Sequence, residues 1–449
     1  MAHIKKEKIP VDSIQVGMYV CELDRPWTST SFPLQGFYVN SVSYIEQLQA
    51  ICQYVFIDIK LTLEWQTNKH LHCAPGEGEK AKFKSGFSAV DRNRLNRVRY
   101  QNQSELSDEL PVAAEALDVL MKAYDDFCET VDVPNEAQSI QLKQSAMLAI
   151  DSLIRNPGAM LWQSAVTQSE NRLLNHSLHC MVFAAALGRR LGLAENELKT
   201  AAFGALLMDI GKILFPKKWF EPNHTLTDDE FKKLKGHVLK SMKIASAKKL
   251  LSNTELKVIE HHHEKFDGTG YPSGIAGNSI HLHARIASIV DHYTAIITPR
   301  PSAKPISPAE AQNRIYKLKG VEVQSELIEE FIQSIGLYPA ASLVELRSGE
   351  IATVLTANSK NKLRPTVIIL LDENKQWLDT FELVDLSSKD IDKKAMDRSV
   401  KQALEMGAYG ITSEVLNSIE LEDFIKVEVK QEKPKPAPKK GFWRRRKTV

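Results

Sequence analysis

Histidines that could bind a metal are concentrated in one part of this chain. Ten of the thirteen lie between His176 and His292, and the densest group is HHHEKFDGTGYPSG at residues 261–274. Neutral imidazole is the commonest protein ligand for metals, and adjacent histidines at a helix end can reach one cation from two directions. Gly268 and Gly270 permit backbone conformations that a Cβ forbids, and Pro272 stiffens the exit. The segment predicts a rigid loop beside a metal site, although HHH by itself would be more typical of a polar helix end.

One carboxylate stands in an apolar run. The stretch FGALLMDIGKIL, residues 203–214, contains Asp209 among hydrophobic neighbours. An ionised carboxylate is rarely buried unless it is paired, hydrogen-bonded or bound to a metal. If the run is one helix, Ala205, Leu206, Asp209 and Ile213 share a face that looks into packed interior. Asp209 therefore needs a partner from elsewhere in the chain.

The elements that must position these groups are mainly helices. From about 104 to 340 the apolar residues repeat every 3.6 positions, whereas residues 8–65 and the segment beyond 340 alternate like strands between turns. The predicted fold class is mostly α, a helical bundle with a small N-terminal α+β domain and a C-terminal β-rich extension. The predicted boundaries are 1–75 for the N-terminal domain, 76–149 for a linker and helical connector, 150–345 for the metal-binding bundle, 346–430 for the β-rich extension with a helix, and 431–449 for a disordered basic tail.

Composition narrows the function classes. The net charge of +2 over 449 residues predicts no specific binding of nucleic acid. The tail KPKPAPKKGFWRRRKTV is first interpreted as solvated and disordered, and second as a contact with anionic membrane. No run approaches a membrane span and no signal-peptide core is visible, which predicts a cytoplasmic protein. Five cysteines without paired spacing fit free thiols.

Six potential ligands follow one another in an order that resembles a known family. They are His176, Asp209, His237, His262, His263 and Asp291, with Gly211 and Lys212 close behind Asp209. This order is similar to that of the HD superfamily of metal-dependent phosphohydrolases over roughly residues 150–345. The segment from HHE to DGTGYP closely resembles the HD-GYP branch. IPVDSIQVGMYVCELDRPW resembles the domain of unknown role that precedes HD-GYP in some bacterial proteins.

The resemblance implies a phosphodiesterase that opens the bacterial second messenger cyclic diguanylate. The six residues would be metal ligands, with Asp209 bridging two cations, manganese or iron, which activate water for in-line attack on the phosphate. Lys212 and Arg300 would contact the substrate. The loop at Gly270, Tyr271 and Pro272 resembles one linked to recognition of diguanylate cyclase domains.

The chain also departs from the family pattern. Met208 replaces the histidine of the His-Asp pair, and a thioether suits copper(I) better than manganese or iron. One metal position keeps Asp209, His237, His262 and His263, while the other keeps only His176, Asp209 and Asp291, so one firmly bound cation and a second, weaker one are expected. Further departures are Arg172 where some members have a glutamate for a third metal, and Thr294, Ile297, Ala303 and Lys304 after Asp291.

The remaining histidines and the function itself leave alternatives open. His179 and His292 are interpreted as residues behind the ligands or at the core edge, His281 and His283 as bordering a loop, and HLHC at residues 70–73 as a chance grouping rather than a metal site. The first functional hypothesis is a cyclic diguanylate phosphodiesterase with weakened activity. The second is an inactive binding or scaffold module of the same fold, and the third, least supported, is a phosphohydrolase acting on another nucleotide.

Overall fold

The computed structural model describes residues 6–15, 18–24, 37–39, 42–59, 97–131, 136–221, 224–248, 251–298, 306–358, 361–388 and 398–419. Two compact units divide the chain, one ending at Ser85 and the other beginning at Gly86. Several positions named above lie outside the described residues: Arg300, Ala303, Lys304, HLHC at 70–73 and the basic tail.

In the residues that the structure describes, the N-terminal unit contains a four-stranded antiparallel sheet and one α-helix. Its strands are β1 (Lys6–Pro10), β2 (Tyr19–Leu23), β3 (Phe37–Tyr38) and β4 (Tyr54–Asp58), in the order β1-β4-β2-β3, and its helix is α1 (Val42–Ile51). Val20, Leu48 and Val55 are fully buried in a small apolar core of its own. This core is what makes the short strands stable, because isolated hairpins of this length are marginal in water.

The second unit is built mainly of helices. Their bounds are α2 (Leu106–Glu129), α3 (Glu136–Arg155), α4 (Pro157–Val166), α5 (Arg172–Leu191), α6 (Glu195–Leu207), α7 (Asp228–Leu234), α8 (His237–Ala247), α9 (Asn253–His261), α10 (Leu282–Ile297), α11 (Pro308–Tyr316), α12 (Ser325–Ile335) and α13 (Ser413–Asn417).

Helix α5 lies at the centre of the bundle and contacts α6, α10 and α12. The Asn171 side chain accepts a hydrogen bond from the backbone N–H of Leu174 and so caps the helix start, while Gly192, at φ +71°, ends the helix in the left-handed conformation. Helix α9 begins with a capping box in which Ser252 and Glu255 bond each other's backbone N–H groups. Local sequence thus fixes where each of these two ligand-bearing helices starts.

The C-terminal part of the second unit is a five-stranded antiparallel sheet. Strands β5 (Leu343–Leu346), β6 (Ile351–Thr356), β7 (Thr366–Leu371), β8 (Trp377–Asp385) and β9 (Val400–Leu404) pair in the order β8-β7-β6-β5-β9. Apolar residues of β6 and β7 join the same continuous core as the helices. The predicted fold class, a mostly α bundle with a small N-terminal α+β region and a C-terminal β-rich extension, is confirmed.

The run at 203–214 is not one helix, so the shared helical face expected for Asp209 is wrong. Helix α6 ends at Leu207, Met208 follows as its C-cap, and Asp209 precedes a separate 3₁₀ helix, Ile210–Leu214. Asp209 is nevertheless buried. The α-helix stops before Asp209. The backbone of Asp209 lies in the sparsely allowed bridge region, with φ −102° and ψ 1°, which is not the conformation of a continuing α-helix.

None of the helices in the described ranges combines the length and apolar character that a membrane span requires.

Gly211 lets the 3₁₀ helix lie directly on α8. A Cβ at this position would overlap the carbonyl oxygen of His237 and lie 2.5 Å from the nitrogen of Ser241. The Gly211 N–H also donates to the Ser241 hydroxyl at 2.8 Å. The segments around Asp209 and His237 can therefore approach this closely because residue Gly211 between them has no side chain.

We expect Gly211→Ala to destabilise the second unit by about 1–3 kcal/mol, because neither backbone atom can move away without shifting α8. The midpoint of thermal unfolding, followed by circular dichroism, measures this. Gly236→Ala is the matched control, since its added Cβ meets nothing closer than 3.0 Å. Equal midpoints for the two variants would show that the close approach at Gly211 is not required.

Candidate metal centre

Five segments of the second unit bring the six predicted ligands together. Helix α5 carries His176, the turn after α6 carries Asp209, α8 begins at His237, and α10 carries Asp291. His262 and His263 follow directly on the end of α9 at His261. The candidate ligand atoms fall into two groups, within each of which all atoms lie within 4.8 Å of one another. The first ligand group is Asp209, His237, His262 and His263, and the second is His176, Cys180 and Asp291.

In the first group, helix ends orient the imidazoles. His237 Nδ1 donates to the carbonyl of Leu234 at 2.8 Å, and His262 Nδ1 donates to the carbonyl of Ile259 at 2.7 Å. Both carbonyls belong to the last turn of a helix, where carbonyls have no partner within the helix. Since a carbonyl can only accept, each Nδ1 carries a proton, and in the neutral imidazole each Nε2 then exposes a lone pair.

These lone pairs converge on one buried point. His237 Nε2 and His262 Nε2 are 3.3 Å apart, and Asp209 Oδ1 is 3.1 Å from the first and 3.8 Å from the second. Asp209 Oδ1 is buried and makes no hydrogen bond of good geometry to any described residue. Three electron-rich atoms pointing at each other repel unless a cation lies between them. The first group therefore fits a divalent metal of the type bound by imidazole and carboxylate.

The second group is built around His176. Its Nε2 lies 3.0 Å from Asp291 Oδ1, 3.2 Å from Asp209 Oδ2 and 3.5 Å from Cys180 Sγ. The two oxygens of Asp209 thus face different groups, Oδ1 the first and Oδ2 the second. This is the arrangement that a carboxylate bridging two cations requires.

Lys212 makes the site's strongest ion pair. Its Nζ lies 2.6 Å from Asp209 Oδ2. Burial disfavours the charged amine, but the carboxylates of Asp209 and Asp291 outweigh burial and raise the pKa of Lys212. Burial likewise opposes ionisation of Asp209, but Lys212 and then His176 hold its pKa well below the ordinary value. The lysine stays a cation and the aspartate an anion.

His176 and His263 have opposite proton affinities. Burial opposes the charged form of His176, but Cys180, Asp209 and Asp291 outweigh it, so the pKa of His176 lies well above its ordinary value. Burial, together with the neighbouring His262, lowers the pKa of His263 well below the ordinary value. In the absence of a cation, the second group therefore holds a proton on His176, which metal binding must displace.

The GYP loop is fastened to the histidine turn. The Glu264 carboxylate Oε1 accepts hydrogen bonds from the backbone N–H groups of Ser273 at 2.6 Å and Gly274 at 3.1 Å. The Tyr271 ring stacks on His263, with centroids 4.7 Å apart and planes at 28°. The loop and the first ligand group are consequently one rigid construction.

Two further loop residues were predicted to recognise a partner. A Cβ on Gly270 would lie 2.5 Å from Glu264 Cα, so this residue is required by the close backbone approach within the loop. Pro272 is exposed, and Tyr271 is half-buried. The structure therefore leaves Pro272 and part of the Tyr271 ring accessible from solvent.

Other histidines lie outside the two groups. His179 Nε2 donates to the Ser164 carbonyl at 2.8 Å and stacks on Phe183, and His292 Nδ1 donates to the Ser288 carbonyl at 2.8 Å. His281 caps α10 by accepting from the backbone N–H of His283. Arg172 opens α5 and donates to the Phe220 carbonyl at 3.4 Å.

Sequence reasoning missed Cys180 and Glu264. Cys180 follows His176 by four residues on α5, a spacing that puts both side chains on one helix face and could have been noticed. Glu264 adjoins the histidine run, but its use as an acceptor for loop amides has no sequence signal. Met208 is completely buried in the continuous apolar core.

Comparison with known proteins finds three matching domain families and a number of relatives. The HD domain family matches residues 161–325, a domain of unknown function matches residues 6–133, and a KOW domain associated with HD domains matches residues 343–391. A cyclic di-GMP phosphodiesterase of Pseudomonas aeruginosa is 27% identical over 382 residues, 85% of this chain and 89% of that protein.

Two further similarities cover less of the chain. A cyclic di-GMP phosphodiesterase response regulator of Xanthomonas campestris pv. campestris is 34% identical over 125 residues, 26% of this chain and 32% of that protein. A solved HDGYP protein of Bdellovibrio bacteriovorus is 14% identical, with a TM-score of 0.43 over 73% of this chain and 98% of that one. Residues 161–325 thus match the HD domain family, and the similarities together support an HD-GYP phosphohydrolase.

Proposed function

We propose that this protein is a cyclic diguanylate phosphodiesterase that opens the cyclic dinucleotide at a divalent-metal centre. One observation carries the proposal: the buried Asp209 carboxylate presents one oxygen to each of two groups of ligand atoms. The similarity to a cyclic di-GMP phosphodiesterase over 85% of the chain supports the choice of substrate. Incubating metal-loaded protein with cyclic diguanylate, and measuring both bound ligand and linear product, tests the proposal directly.

The proposed ligands are His237, His262 and His263 at the first position, His176 and Asp291 at the second, and Asp209 at both. When bound, the two cations would supply Lewis acidity toward a water molecule and the phosphate oxygens. Lys212 is proposed to leave Asp209 and to bind the substrate phosphate. Its positive charge would there offset the negative charge that develops during in-line attack. Arg300 is kept as a proposed substrate contact, although it lies outside the described residues.

The exposed fractions of the ligands suggest how the phosphodiester approaches. The side chains of His237 and His262 are 2% and 0% exposed, whereas those of His176 and His263 are 13% and 17% exposed. The Lys212 side chain is 22% exposed. The proposed substrate therefore meets His176, His263 and Lys212 first, with His237 and His262 behind them.

The proposed metals are manganese or iron, with one cation bound firmly and the other weakly. The first position has four protein ligands, whereas the histidine that the family places beside Asp209 is Met208, which lies in the apolar core. The GYP loop, with Pro272 and Tyr271 accessible, is proposed as a contact for diguanylate cyclase domains. The proposed compartment is the cytoplasm, where the substrate acts as a second messenger. The basic tail is proposed to contact anionic membrane.

The inactive binding module is the less favoured alternative. It would retain the fold and one cation without turnover, yet the relatives reported above are named for phosphodiesterase activity. Each ligand group also keeps an imidazole beside Asp209, His237 at 3.1 Å from Oδ1 and His176 at 3.2 Å from Oδ2.

Asp209→Asn should remove both cations and lower turnover more than about 100-fold, because the amide cannot present two anionic oxygens. Elemental analysis and product formation measure the two effects. Asp118→Asn, an exposed carboxylate on α2, is the matched control and should behave as the parent. Full activity in Asp209→Asn would contradict the bridging role.

Loading with manganese should reveal unequal positions. After dialysis against a mild chelator we expect about one equivalent of Mn²⁺ per chain, since one position offers four hard or borderline donors and the other offers three. Elemental analysis gives the stoichiometry. Two firmly retained manganese ions would contradict the asymmetry.

Met208→His should raise manganese-supported turnover tenfold or more, about 1.4 kcal/mol of barrier, by returning an imidazole to the second position. Met208→Leu is the matched control because it keeps the apolar volume and adds no ligand. Metal content is measured alongside the rate for both variants. If Met208→His gains a cation but hydrolyses no faster than Met208→Leu, the missing histidine is not what limits the rate.

A further inference from the structure

We propose that Cys180 is a ligand of the second metal position, where its thiolate supplies the donor that Met208 does not. This inference takes the second position from the proposed function and adds a ligand that the family pattern does not contain. It predicts which class of cation that position prefers: a borderline metal such as zinc, cobalt or ferrous iron over manganese.

The helix sets Cys180 at the right place. Cys180 follows His176 by one turn of α5, so the two side chains project from the same face. Cys180 Sγ lies 3.5 Å from His176 Nε2, and His176 Nε2 lies 3.2 Å from Asp209 Oδ2 and 3.0 Å from Asp291 Oδ1. Donors that are about 2.0–2.3 Å from one tetrahedral cation lie about 3.3–3.8 Å from each other. The observed separations are close to this range, and a cation at the centre would spread the two shorter ones.

A buried hydroxyl beside the thiol is an independent indication. Thr294 on α10 is fully buried and interacts with Cys180, and its Oγ1 makes no hydrogen bond of good geometry to any described residue. A neutral thiol is a weak acceptor, whereas a thiolate is a good one. The Thr294 hydroxyl can thus donate a hydrogen bond to an anionic sulfur, as neighbours of metal ligands commonly do.

The alternative to a metal ligand is that Cys180 packs as a small apolar residue in the core, which is common for free cysteine. Cys52 illustrates that case, since it is buried in the apolar core of the N-terminal unit. Among the described cysteines, which are Cys21, Cys52, Cys128 and Cys180, Cys180 is the one found within a group of potential metal ligands. Its surroundings therefore differ from those of an ordinary core thiol.

The donor set determines the metal class. With Cys180 the second position has one imidazole, two carboxylate oxygens and one sulfur, whereas the first has three imidazoles and one carboxylate. Sulfur ligands favour zinc and other borderline or soft cations, while manganese prefers oxygen. The weak retention expected for manganese at the second position should therefore not extend to zinc or cobalt. Coordination releases the thiol proton to solvent.

Cobalt(II) provides a readout that does not depend on turnover. We expect apoprotein loaded with two equivalents of Co²⁺ to show a near-ultraviolet sulfur-to-cobalt charge-transfer band, in the full-length chain without substrate. Cys180→Ser should lose this band and bind the second equivalent of Zn²⁺ at least tenfold more weakly in competition with a chromophoric chelator. Cys128→Ser, a half-buried thiol on α2, is the matched control and should keep both properties. A band that persists in Cys180→Ser, or that is absent from the parent, would overturn the proposal.

X-ray absorption of the zinc-loaded parent protein requires no variant and so covers the case in which Cys180→Ser does not fold. A sulfur shell at about 2.3 Å, one sulfur for two zinc ions, would support the ligand. Two bound zinc ions without sulfur, or failure to bind the second zinc, would overturn it. The outcomes separate the two proposals: a charge-transfer band without hydrolysis leaves Cys180 as a ligand and refutes the phosphodiesterase, whereas hydrolysis without the band does the reverse.

Discussion

The structure depends on burying one carboxylate between two sets of ligands. Asp209 is 1% exposed, and leaving its charge unpaired there would cost several kcal/mol. Oδ2 is balanced by Lys212 and His176, whereas Oδ1 faces only the lone pairs of imidazoles. Because the charge at Oδ1 is not compensated, the interior of the helical bundle favours binding of a cation, which an ordinary apolar core would not.

Helix ends supply the geometry that this carboxylate needs. The last-turn carbonyls at Leu234 and Ile259, which lack helical partners, fix the tautomers of His237 and His262 and aim each Nε2 at Asp209. The missing side chain at Gly211 allows these elements to lie close enough. The same features that end the helices therefore orient the ligands, so shifting one end by a residue would destroy the site and not merely loosen it.

Much of this could be predicted from the sequence, for identifiable reasons. The mostly helical bundle followed from a 3.6-residue repeat over more than two hundred residues, and the family from the HHE to DGTGYP segment. The helix break before Asp209 could not be predicted, because an apolar run has the same pattern whether or not the chain turns within it. Cys180 was overlooked because a single cysteine usually packs as a small apolar residue; its proximity to Asp291 arises from the packing of α5 on α10, which one sequence does not specify.

The charges of the buried side chains can be compared with and without bound cations. Asp209 and Asp291 contribute two negative charges, and Lys212 together with protonated His176 contributes two positive ones, so these four side chains together carry no net charge without a metal. In the first group the Nδ1 protons of His237 and His262 are donated to carbonyls, and Asp209 Oδ1 makes no hydrogen bond of good geometry to any described residue. A cation therefore relieves an uncompensated arrangement at the first position but must displace a proton and move Lys212 at the second. This competition weakens the second position for any metal, and a strongly bound anionic sulfur is the kind of ligand that could offset it.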